Sequence, residues 1–180
     1  MNVESIANHT EANIKRVFNK FKDNPAVFLS KSDVICYLYY HLIRDPFLHH
    51  DPTVKNLTAN ISRSKTFLVH AGLNVSIEGE NKQVALSVGE TKRETDLPSW
   101  DFPIGIEIEH NLEFTSTGML TLEEGVKKVA TYKRGYVLCL NWDPPMAENG
   151  LKAIEQFVSK FKNVKFYYID LSSKPVKTNF

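Results

Sequence analysis

Glu107 and Glu109 stand one residue apart in an otherwise apolar run, Ile104-Gly-Ile-Glu-Ile-Glu109. In an extended chain alternate side chains share a face, so Ile104, Ile106 and Ile108 point one way while Gly105, Glu107 and Glu109 point the other. Two carboxylates held side by side repel and raise each other's pKa unless water or a cation lies between them. Two further apolar runs, 136–141 and 164–170, follow as flanking strands and argue against an edge position for this one. The spacing therefore predicts a metal pair on a central strand. A third oxygen ligand is available from Asp96 or Asp101, 11 and 6 residues before Glu107. Hard carboxylate oxygens suit Mg²⁺ or Mn²⁺. Such an ion can hold a scissile phosphate while lowering the pKa of an attacking water, which is the chemistry of phosphodiester hydrolysis.

A polyanionic substrate also needs cations. Lys127, Lys128, Tyr132, Lys133 and Arg134 form a basic and aromatic set close after the acidic run, suited to a nucleic-acid backbone, although lysines near a helix C-terminus also serve simply to complement its dipole. The net charge of +1 conceals opposed blocks: residues 66–125 carry eleven Asp/Glu against three Lys/Arg, and residues 126–180 ten Lys/Arg against four Asp/Glu. Other groups are less suited to chemistry. His49-His50-Asp51 are adjacent on a loop and poorly placed to converge on one ion. His70 reads as a sheet histidine, and His110 faces away from Glu109 in a continuous strand. No Gly-rich phosphate loop, zinc-spaced Cys/His set or Gly-x-Ser-x-Gly elbow is present.

The elements that must position these groups follow from periodicity and punctuation. Helical spacing of apolar residues predicts an amphipathic helix over 3–22, and a second, well-buried helix over 33–44 capped by Ser30 or Ser32. A loop over 46–63 follows. From Thr66 the pattern turns strand-like, with a hairpin about 78–81, a polar connection over 89–103 and a third strand over 104–110. A helix over 120–132, a strand over 136–141, a helix over 147–161 and a strand over 164–171 complete the order. This predicts an α/β fold with a mixed central sheet flanked by helices: an N-terminal helix (1–28) packed on the core, an α/β domain (29–171) and a flexible tail (172–180).

At 180 residues, 42% of them hydrophobic, the chain can bury one sizeable core without disulfides or metal. Cys36 and Cys139 both lie in apolar runs and read as buried thiols of a reducing compartment. With a polar N-terminus and no long apolar run, the expectation is a soluble, cytoplasmic protein without membrane association.

The order helix, three strands, helix, strand, with Asp96 ahead of Glu107-Ile-Glu109, resembles the PD-(D/E)xK nuclease superfamily, the restriction-endonuclease-like fold, over about 29–171. The resemblance implies an α-β-β-β-α-β core with an extra N-terminal helix, and a Mg²⁺- or Mn²⁺-dependent endonuclease acting on nucleic acid, DNA ahead of RNA. It implies Asp96 and Glu107 as metal ligands, Glu109 as a variant general base, Asp33 as a supporting acid, and Lys127, Lys128, Lys133 and Arg134 as backbone contacts. Members often act as homodimers. Two departures stand out: Glu109 occupies the position of the motif's lysine, and Asp96 is followed by Leu-Pro instead of being preceded by proline. Loss of the lysine also occurs in inactive relatives, so the alternative is a nuclease-like domain that binds nucleic acid or protein without cleaving. The Glu-x-Glu-x-Lys signature of the triphosphate tunnel metalloenzymes fits less well, because Asn111 stands at its lysine and helices follow the strand.

Overall fold

The computed structural model describes residues 3–45, 67–93, 98–113, 115–142 and 148–171. The loop expected over 46–63, with His49, His50 and Asp51, and the tail over 172–180 lie outside the described residues, as does Asp96. Helix α1 spans Val3–Asp23 and α2 Lys31–Arg44; strands β1 (Phe67–Ile77), β2 (Glu80–Arg93) and β3 (Pro98–His110) follow, then α3 (Ser116–Ala130), β4 (Arg134–Asn141), α4 (Glu148–Val158) and β5 (Val164–Asp170). The strands form one sheet in the order β1-β2-β3-β4-β5. The first three are paired antiparallel, and β3, β4 and β5 run parallel. This is an α/β protein with a five-stranded mixed sheet flanked by helices.

Each face of the sheet carries its own core. On one side Ile6, Ile14, Val17, Phe18 and Phe21 of α1 and Val34, Leu38 and Leu42 of α2 cover Ile104, Ile106 and Ile108 of β3 and Leu138 and Leu140 of β4. On the other, Leu122, Val126 and Val129 of α3 and Ile154 of α4 cover Val137, Cys139 and Phe166. Alternation along β3 and β4 thus delivers successive residues to opposite cores. Polar contacts add to the docking of α1, since Glu11 accepts from the Tyr136 hydroxyl at 2.9 Å and pairs with Lys165 at 2.7 Å.

Three features differ from expectation. The 89–103 stretch is largely strand: β2 and β3 continue as a ladder from Glu90↔Asp101 to Arg93↔Pro98, past a bulge between Val88 and Glu90. Phe102 and Pro103 fall opposite Gly89 at that slip, where proline's missing N–H removes no ladder bond. A side chain on Gly89 would lie 2.1 Å from the Asp101 carbonyl oxygen, so the close approach requires glycine. Secondly, α3 starts at Ser116 and not at 120. Thr115 is its cap, accepting from the Gly118 N–H at 3.3 Å. It ends at Ala130, so Lys133 lies in the following turn and Arg134 opens β4. Thirdly, α2 is only half covered: Tyr39, Tyr40, Ile43 and Cys36 are exposed, because its apolar residues encircle the helix while the sheet contacts one stripe. Cys139 is buried. No helix among the described residues is long and apolar enough to cross a membrane.

Candidate functional site

Pairing between β2 and β3 stops at Leu86↔Ile106. Beyond that point β2 stays with β1 as far as Glu80↔Ile77, while β3 continues beside β4 through Glu107↔Val137 to His110↔Leu140. Among the described residues the C-terminal third of β3 therefore has a ladder on one side only, and the sheet opens there. Glu107 and Glu109 lie at this opening, only 2% and 6% exposed.

Two ammonium groups answer the two carboxylates. Lys31 Nζ is 3.0 Å from Glu107 Oε1 and 3.2 Å from Glu109 Oε1. Lys128 Nζ is 3.3 Å from Glu107 Oε2 and 3.9 Å from Glu124. The two lysines differ in access: the Lys31 side chain is 40% exposed, that of Lys128 14%. Burial raises the pKa of Glu109; Lys31 opposes that, and the charge of Glu107 reinforces it. For Lys31 burial acts to lower the pKa, yet Glu107 and Glu109 together outweigh it and hold the ammonium above the usual lysine value.

Local structure explains how each group arrives. Lys31 is the first residue of α2, fixed by a reciprocal capping box in which Ser30 accepts from the Asp33 N–H and the Asp33 carboxylate accepts from the Ser30 N–H at 2.8 Å. Phe28, fully buried, anchors the preceding turn, and its carbonyl contacts the ring of His110 at 2.9 Å. This fastens the start of α2 to the end of β3. On the opposite face Gly125 lets α3 approach: a side chain there would sit 3.1 Å from Glu107 Cγ. One turn later the same helix presents Lys128. Below the pair, the Tyr132 ring fills the space over Gly105, and its hydroxyl bonds Ser87 Oγ at 2.8 Å.

The residues anticipated from sequence fare differently. Glu107, Glu109 and Lys128 are brought together. Asp101 lies six residues before Glu107, about 20 Å along a strand, and Lys133 reaches it at 3.4 Å. β3 likewise places nine residues, about 30 Å of extended chain, between Pro98 and Glu107. The carboxylate of Asp33 caps α2, accepting also from the Leu29 N–H at 3.0 Å and the Ser30 hydroxyl at 3.0 Å. Lys127 pairs with Glu78 at 3.3 Å and Arg134 with Glu4 at 2.9 Å, so each of the four basic residues has a carboxylate partner. His110 faces the other core, as alternation predicts, and its ring meets Trp142 edge-on. His70, exposed, packs edge-on against Phe102.

Lys31 was not among the residues singled out from sequence, being 76 residues from Glu107. A local signal existed: a cation in the first turn of a helix opposes its dipole, so a lysine directly after a capping serine invites the question of which anion compensates.

Among the described residues no three His, Cys, Asp or Glu side chains cluster as metal ligands. An ion at this opening would rest on Glu107 with Glu109 beside it. Two carboxylates are the donors that such an ion would meet, and in this structure both are bonded to lysines. No protein-family model matches the sequence, and no curated protein or solved structure is significantly similar to it.

Proposed function

We propose that the chain is a metal-dependent nuclease hydrolysing nucleic-acid phosphodiester bonds at Glu107, Glu109 and Lys31. One observation supports this above others: two nearly buried carboxylates and a half-exposed ammonium share one hydrogen-bonded group at the open end of the central strand. Lysine is absent from position 109, yet an ammonium stands within 3.2 Å of it, carried by α2. The chain order of helix, three strands, helix and strand is compatible with the α-β-β-β-α-β core of the PD-(D/E)xK resemblance.

Within this arrangement Glu107 would hold the ion, and Lys128 holds its second oxygen at 3.3 Å. When bound, Mg²⁺ or Mn²⁺ supplies Lewis-acid polarisation of a phosphoryl oxygen and a more acidic water. Glu109, beside Glu107 on the same face of β3, would accept the proton of the attacking water; burial raises its pKa. Lys31 donates to the non-bridging phosphate oxygens as negative charge builds on them.

A second, non-catalytic reading has its own observation. Lys31 and Lys128 already satisfy both carboxylates, which is also what a purely structural buried ion-pair network would look like. Incubation with plasmid DNA and single-stranded oligonucleotides in Mg²⁺ and in Mn²⁺ separates the two. Cleavage by the wild type that Glu107→Gln abolishes is the expected result; intact substrates in both metals would leave the structural network.

A further inference from the structure

Charge balance at the opening of the sheet constrains how an ion could enter. The carboxylates of Glu107 and Glu109 face the ammoniums of Lys31 and Lys128, two against two, with Glu124 beside Lys128 paired in turn with Lys82. Adding a divalent cation while both lysines stay would place two further positive charges within a few ångström of two ammoniums. Like charges at that separation in a partly buried site repel strongly, so an ammonium must move. The structure distinguishes which one. Lys128 is 14% exposed, with Glu124 as a second carboxylate beside it, on a helix packed against Glu107 through Gly125. Lys31 is 40% exposed, and its flexible four-carbon stem begins at the open mouth of the site. Lys31 is also the first residue of α2, where the helix dipole disfavours a cation, and among the described residues Glu107 and Glu109 are the carboxylates that hold its ammonium.

We infer that Lys31 is a displaceable internal counter-ion: its ammonium occupies the place of a divalent cation between Glu107 and Glu109, and metal enters as Lys31 leaves. This rests on the metal reading of the pair given above. A phosphodiester is then the natural recipient of the released ammonium, which makes metal entry and substrate binding mutually supportive.

Calorimetric titration of Mn²⁺ alone into wild type, Lys31→Met and Lys31→Arg tests the inference without reference to activity. The expected result is that Lys31→Met, which lacks the competing charge, binds about tenfold tighter than wild type, within the ordinary range of coupling between two sites. Lys31→Arg, which keeps the charge, stays near wild type. Thermal melting gives a second reading: Mn²⁺ raises the melting temperature of Lys31→Met more than that of wild type. Equal or weaker binding by Lys31→Met, with wild type binding, overturns the displacement and leaves the metal site standing. Absence of binding by all three proteins overturns both. If Lys31→Met fails to fold without metal, recovery of its far-UV circular dichroism by Mn²⁺ but not by Na⁺ supports the inference, and failure to recover overturns it.

Discussion

Glu107 is a nearly buried charge whose two oxygens are claimed by different lysines, and that division governs what each substitution does. Breaking a buried ion pair by removing one partner leaves an uncompensated charge, at a cost of about 3–5 kcal/mol. Lys128→Met should therefore destabilise the protein by roughly that amount in urea denaturation, since Lys128 is the more enclosed partner. Lys31 contributes in a pH-dependent way. Its folded-state pKa lies above the unfolded value, so its contribution to stability is fully present below the unfolded pKa and is lost as pH rises through the folded one. The stability difference between wild type and Lys31→Met should thus be constant at neutral pH and shrink above about pH 10.4. A difference that grew with alkalinity would contradict the assigned pairing. The acidic pair itself was legible in the sequence because strand alternation is a local rule. Its partners were not: one lies 76 residues upstream on another layer, and nothing within a local window links Ser30-Lys31 to Ile104–Glu109.

At the level of elements, the site depends on how closely two helices and a strand approach. The Ser30–Asp33 box sets the first turn of α2, so Ser30→Ala should cost about 1 kcal/mol of stability by chemical denaturation. Gly105 is the tighter constraint. A methyl group there would sit 2.4 Å from the Tyr132 ring, and Gly105→Ala should destabilise by roughly 1–3 kcal/mol, as overpacking of a dense interior does. Wild-type stability in that variant would show that Tyr132 does not fill the space under Glu107. Element order, with its three-strand unit and later alternation of helix and strand, followed from periodicity and caps. The 89–103 stretch misled for a physical reason: its polar residues and Pro103 signal a loop, whereas a ladder between two chains satisfies the backbone whatever the composition, and a bulge accommodates the proline. The exposed face of α2 was invisible likewise, since an apolar helix does not reveal which of its sides has a partner.

At the scale of the whole molecule, the β2–β3 ladder among the described residues ends at Leu86↔Ile106, and Glu107 and Glu109 lie just beyond it. The blocks of opposite charge seen along the sequence resolve into specific pairs joining α1 to β4, α2 to β3, and α3 to the β1-β2 turn. Lys127, Lys128, Lys133 and Arg134 of the apparent basic patch are thereby each paired with a carboxylate. Cleavage of nucleic acid in Mg²⁺ or Mn²⁺ by wild type beside Glu107→Gln tests the proposed metal-dependent hydrolysis at this opening most directly. Chelator-sensitive cleavage by the wild type, with at least a hundredfold loss in the folded variant, about 2.7 kcal/mol of transition-state stabilisation, is the predicted result. A folded wild-type protein that leaves every substrate intact, or a Glu107→Gln variant that cleaves as well as wild type, would contradict it.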